Sequence, residues 1–192
     1  MLSNKLKKYN LILASKSPRR QQFLKDLGLD FEIQLKEVEE VYPNQLKGIE
    51  ITNFLAELKS KPFENLSNND ILITSDTIVW LNDEAIGKPK DKQDAVHILN
   101  KLSGQKHQVI TSICIKTSKS IKIVNDITEV YFKELTNEEI NFYLTNFKPF
   151  DKAGSYGIQD WIGFIGVEKI EGSYFNVMGL PVHKLYTELS KF

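Results

Sequence analysis

Apolar positions along the chain follow two rhythms, and the two alternate. Compact apolar runs predict strands at 11–14 and 71–81, and alternation of apolar and polar residues predicts one at 31–35. β-prone residues recur over 107–116 and 120–133, with a Thr-Ser-Lys turn between them, which predicts a long hairpin. The segment 161–170 also reads as strand-like. Elsewhere apolar residues fall three and four apart, the spacing of a helix face. Phe23, Leu24 and Leu27 make one such face, and Ile51, Phe54, Leu55 and Leu58 a second. Ala95, Ile98, Leu99 and Leu102 make a third, and Ile140, Tyr143, Leu144 and Phe147 a fourth. Val182, Leu185, Tyr186 and Leu189 close the chain. Ser17 before Pro18, Asp91, and the capping box Thr136-Asn-Glu-Glu139 mark helix starts. Gly28 and Gly104 mark helix ends. Strands alternating with helices argue for an α/β fold, and the hairpin makes its sheet mixed. Residues 1–10 read as a loosely ordered, lysine-rich lead-in, and 11–192 as a single domain.

Composition narrows the class. Twenty-five basic residues balance 25 acidic ones, which argues against a general nucleic-acid binder. Cys114 is the only cysteine, so no intrachain disulfide forms, as expected in a reducing compartment. No apolar run approaches the roughly 20 residues of a membrane span. The first residues lack the apolar segment of a secretory signal, and the cytoplasm is the expected location.

Three places carry candidate chemistry. The first is Leu11-Ile-Leu-Ala-Ser-Lys-Ser-Pro-Arg-Arg20, a strand, a tight polar turn and a helix start. Helix N-termini attract anions through free N–H groups. Arg19 and Arg20 run against the helix dipole there, which hints at a phosphate site rather than at local stability. Two solvated surface arginines are the plain alternative. The second is Asp76, a carboxylate inside the apolar run 71–81. Such a carboxylate is costly unless paired or metal-bound. The third is 149–159, small and polar, where Gly154 and Gly157 permit close backbone approach to a ligand. Glu37, in the acidic stretch 36–43, reads as solvated, and Lys59 by position alone serves its helix end. His97 reads as structural or exposed; His107 opens a strand and is a weak ligand candidate.

Several segments together resemble the Maf family of nucleotide pyrophosphatases. They are Leu13-Ala-Ser-x-Ser-Pro-Arg-Arg20, Val38-Glu-Glu40, Leu55-Ala-x-x-Lys59, Ser75-Asp-Thr77 and Gly87-Lys-Pro89. Leu102-Ser-Gly104 with His107, Asp151-Lys-Ala-Gly-Ser-Tyr-Gly-Ile-Gln159, Ser173-Tyr174 and Val177-Met-Gly-Leu-Pro181 complete the set. Each is unspecific alone; the ordered set is highly specific. The resemblance implies hydrolysis of a nucleoside triphosphate to the monophosphate and pyrophosphate with a divalent metal (Mg, Mn or Co). It implies an elongated, mixed central sheet with flanking helices forming two lobes around a cleft, similar to inosine triphosphate pyrophosphatases. It also implies a homodimer, with neither nucleic acid nor membrane as partner.

Within that resemblance Asp76 is the expected base, with Glu40 and Asp76 as metal ligands. Ser15, Arg19, Arg20, Lys59 and Lys88 are expected on the phosphates. Thr77 and Gln159 belong beside the base, where an amide can read the O4/N3 edge of thymine or uracil. Arg19, Thr77 and Gln159 all match the dTTP/UTP group of the family. The alternatives are a pyrophosphatase for 7-methyl-GTP or other modified purines, and a non-catalytic nucleotide-binding regulator of cell division. Two departures stand out: Ser155 replaces the usual alanine, and Asp160-Trp-Ile-Gly-Phe-Ile is bulkier than the glycine-rich run usual there.

Overall fold

A computed structural model describes residues 1–192. The elements run in the order α1 (Leu2–Leu6), β1 (Asn10–Leu13), α2 (Pro18–Asp26), β2 (Glu32–Ile33), α3 (Ile49–Ser60), β3 (Asp70–Leu81) and β4 (Glu84–Ile86). They continue with α4 (Lys92–Leu102), β5 (Lys106–Lys116), β6 (Ile121–Phe132), α5 (Asn137–Phe147), α6 (Trp161–Gly166), β7 (Val167–Glu171), α7 (Tyr174–Val177) and α8 (Val182–Leu189). Seven strands form one mixed sheet in the order β2-β1-β3-β5-β6-β7, with β4 paired to β3. β1 runs parallel to β2 and β3, while β4 and β7 pair antiparallel. The mixed α/β class expected from the sequence is the one observed.

Contacts divide the chain into two compact units. Unit 1 comprises 1–76, 111–126 and 179–192; unit 2 comprises 77–110 and 127–178. Inside unit 1 the sheet residues Leu11–Leu13 and Ile71–Ile73 are almost wholly buried, as a central parallel strand pair requires. Unit 2 holds a large apolar core built from α4, α5 and the strands beside them, including Leu99, Leu102, Val130, Ile140 and Tyr143. Caps hold the helices where the sequence put them. Asp91 accepts from the Asp94 N–H at 2.8 Å, and both bonds of the Thr136–Glu139 capping box are present.

Four local expectations are corrected. The lead-in contains helix α1, whose Leu2 and Leu6 are buried; two apolar residues one turn apart suffice to dock it. Only Glu32 and Ile33 of 31–35 pair as a strand, and both are exposed, so the alternation there does not mark a core face. The segment 161–166 is helical, and strand structure begins only at Val167. Gly163 explains the difference: a Cβ there would stand 1.8 Å from the Ile158 carbonyl oxygen, so the chain coils closely on itself. Short apolar runs do not distinguish buried strand from buried helix. Phe147 and Tyr186, counted on apolar faces, are exposed at 40% and 44%.

Candidate active site

The polar turn at the head of α2 is built as its sequence dictates. Pro18 occupies the first helical turn, and the Ser17 side chain accepts from the Arg20 N–H. Ser15 is buried, and its Oγ accepts from the Ser17 N–H at 3.2 Å. Its carbonyl accepts from the Gln21 amide at 3.2 Å. The serine therefore shapes the turn from which Arg19 and Arg20 project.

Arg20 does more than face solvent. Its Nε donates to the Gly179 carbonyl and its Nη1 to the Ser75 carbonyl, each at 2.8 Å. One side chain thus ties α2 to the end segment of unit 1 and to the residue just before Asp76. Burial pushes the guanidinium down to about 10, with Asp76 and Glu40 opposing and Arg19 adding to the fall. It remains a cation at neutral pH.

Asp76 lies on β3, 6% exposed, in a strand apolar on either side. Its charge is met by Lys59 from the last turn of α3. Lys59 Nζ lies 2.6 Å from Asp76 Oδ1 and 3.1 Å from Glu40 Oε2. The three residues come from a strand, a helix end and a loop of unit 1. Glu40 is half-exposed, whereas Lys59 and Asp76 are largely buried. Glu37 is almost fully exposed and reaches only Lys16, at 4.0 Å, as a solvated residue would.

The donor set suits a hard divalent cation. Glu40 and Asp76 each present an oxygen within 3.1 Å of one positive centre, so their carboxylates converge on a common point. Two carboxylates suffice for Mg²⁺ when substrate oxygens and water complete the shell. No group of three or more His, Cys, Asp or Glu side chains is placed to hold a metal ion by itself, so the protein offers no full cage.

Unit 2 places the remaining expected residues. Thr77 follows Asp76 on β3 and is half-buried. Lys88 is exposed just after β4, and the neighbouring Gly87 carbonyl accepts from the Gly154 N–H at 3.0 Å. That bond joins the Lys88 segment to the turn leading to Gln159, which is half-buried. His107 is buried, its Nε2 2.8 Å from the Tyr156 hydroxyl. Burial pushes its pKa down to about 4, so it is neutral at pH 7 and structural.

Three contributors carry little signal in the sequence. The Ser75 and Gly179 carbonyls hold Arg20, and backbone acceptors leave no trace in residue type. Tyr143 sits in an apolar stripe, the pattern of core, yet its hydroxyl bonds both Asp160 and Gly157. A phenol on a core face is the one signal that pointed there.

Comparison with known proteins agrees with the residue pattern. The model of the family described as "Maf-like protein" matches residues 10–192. A dTTP/UTP pyrophosphatase of Flavobacterium johnsoniae is 59% identical over 191 residues, covering 99% of this chain and 98% of the relative. The dTTP/UTP pyrophosphatase of Phocaeicola vulgatus is 53% identical over the full length of both. Among solved structures, the Ham1 protein of Staphylococcus aureus aligns with a TM-score of 0.56 over 95% of this chain and 98% of its own. That of Coxiella burnetii aligns with 0.53 over 96% and 100%. Both are only 15% identical and speak to the fold alone.

Proposed function

This chain belongs to the Maf family, and on that premise we propose that it hydrolyses dTTP and UTP to the monophosphate and pyrophosphate. The observation that carries the reading is the convergence of Asp76 and Glu40 on Lys59, with Arg20 bonded to the residue preceding Asp76. Binding alone needs no carboxylate amid phosphate-binding cations; moving a proton does.

The reaction needs water to attack the α-phosphorus as the bond to pyrophosphate breaks. Asp76 takes the proton from that water, being the more buried carboxylate of the pair. Arg19, Arg20, Lys59 and Lys88 offset the charge of the triphosphate, the arginines through paired donors. Ser15 and the N–H groups at the head of α2 suit phosphate oxygens. Gln159 reads the O4/N3 edge of the base, with Thr77 beside it. Glu40 and Asp76 would hold a divalent cation (Mg²⁺, Mn²⁺ or Co²⁺), which when bound would supply Lewis-acid polarisation of the phosphoryl group.

Family membership also supports a homodimer working in the cytoplasm, with no nucleic-acid or membrane partner. No helix is long and apolar enough to cross a membrane.

The test is steady-state pyrophosphate release with Mg²⁺ from a panel of canonical and modified nucleoside triphosphates. The expected result is fastest turnover of dTTP and UTP. A preference for 7-methyl-GTP or another modified purine would overturn the substrate assignment. Tight binding without turnover would turn the protein into a nucleotide-binding regulator.

A further inference from the structure

A glutamine amide is by itself a poor judge of pyrimidines. In one orientation it donates to O4 and accepts from N3–H, as uracil and thymine require. Turned over, the same side chain donates to N3 and accepts from the amino group of cytosine. A site that selects uracil and thymine must hold the amide one way round.

Unit 2 contains a holder. Asp160 follows Gln159, and both side chains reach the hollow above Gly157. A Cβ on Gly157 would stand 2.6 Å from Asp160 Oδ2 and 2.8 Å from Gln159 Nε2. A larger residue there would push these side-chain ends aside, so the carboxylate and the amide lie over the same glycine. A carboxylate oxygen on that side attracts the NH₂ end of the amide and repels its carbonyl.

The carboxylate is itself fixed. The Tyr143 hydroxyl donates to Asp160 Oδ2 at 2.8 Å and accepts from the Gly157 N–H at 3.0 Å. Lys152 Nζ lies 3.9 Å from the same Oδ2. The Asp160 N–H donates to the Gly157 carbonyl at 2.9 Å, closing the turn that carries Gln159. Tyr143 is wholly buried in the apolar core, which makes it a rigid post. Burial, then the Asp160 carboxylate, pushes its phenol well above the ordinary tyrosine value, so it stays a donor.

We propose that Asp160, held by Tyr143 and Lys152, fixes which way the Gln159 amide faces and so sets discrimination for uracil and thymine against cytosine. The inference rests on Gln159 as the base reader. Asp160 and Tyr143 are positioning residues in it; neither touches the reacting atoms.

The test compares kcat and KM for UTP and CTP in full-length variants. Asp160→Ala should lower the UTP-to-CTP ratio of kcat/KM about tenfold, the size of one net hydrogen bond, with kcat for UTP changing less than about twofold. Tyr143→Phe should shift the ratio the same way, and Asp160→Asn, which keeps an acceptor for Tyr143, should shift it less than Asp160→Ala. In a Gln159→Ala background, Asp160→Ala should no longer alter the ratio. Equal losses on both nucleotides with an unchanged ratio would make the pair merely structural and overturn the proposal. If Gln159→Ala collapses the ratio while Asp160→Ala leaves it intact, this inference alone falls. If Gln159→Ala leaves the ratio intact, the base-reading assignment falls and takes this inference with it.

Discussion

The two units differ in the charge they bury. Unit 1 buries charge: Asp76 against Lys59, and Arg20 on the carbonyls of Ser75 and Gly179. Unit 2 leaves its Asp160 and Lys152 charges partly exposed and fully buries neutral groups: His107 with Tyr156, and Asn176 donating to the Val109 carbonyl and to Thr128. The physical reason lies in what each arrangement can do. Buried charge is costly, and a pair that only stabilised a fold would be replaceable by apolar residues of similar volume. Its retention in unit 1 fits a site that must meet a polyanion. Neutral hydrogen bonds inside an apolar core fix positions with less desolvation. The turn carrying Gln159 uses the Asp160 carboxylate to set position rather than to meet a substrate charge.

The largest expected effect falls on the charged side. Asp76→Asn keeps shape but removes the proton acceptor, and should lower pyrophosphate release from dTTP about a thousandfold, within the range of general base catalysis. The circular dichroism spectrum should not change. Wild-type turnover by this variant would break the comparison, because buried charge in unit 1 would then have no catalytic purpose.

A smaller effect, on stability rather than rate, belongs to the neutral side. His107 has its pKa lowered to about 4 from an ordinary 6.5. The unfolded chain therefore binds a proton that the folded chain refuses between those values. Stability from this group is complete above pH 6.5 and falls as the pH drops toward 4. The loss amounts to about 3 kcal/mol. Denaturant melts at pH 7 and pH 4 should show it, and His107→Gln should flatten that part of the profile. An unchanged slope in the variant would mean that His107 is not the neutral core group of unit 2.

The sequence made this comparison only partly legible. Charged residues announced themselves by breaking local rules: Asp76 in an apolar strand, Arg19 and Arg20 at a helix start. Strong periodicity and caps likewise located α3, α4 and α5. What stayed hidden depended on contacts between distant segments. The bond from Arg20 to the Gly179 carbonyl spans 159 residues and involves an acceptor every residue possesses. Tyr143 and Asp160 sit 17 residues apart, and nothing in an apolar stripe says which way its one hydroxyl points. The helix at 161–166 leaves no periodic signal because close packing at Gly163 decides it.

The smallest expected effect separates helix stability from site geometry within unit 2. Thr136 starts α5, the helix that carries Tyr143. Its Oγ1 accepts from the Glu139 N–H at 3.2 Å, and Glu139 returns a bond to the Thr136 N–H at 2.8 Å. Lys133 also holds Glu139, at 2.7 Å. Thr136→Ala removes one side of this box and should cost about 1 kcal/mol, read as a lower denaturation midpoint with unchanged slope. The UTP-to-CTP ratio should not move, because Tyr143 lies two turns into the helix and is clamped by the apolar core rather than by the cap. A shift in that ratio would show that the orientation of Gln159 depends on the whole of α5, and the neutral side would then be tuned by helix stability instead of by a local hydrogen bond.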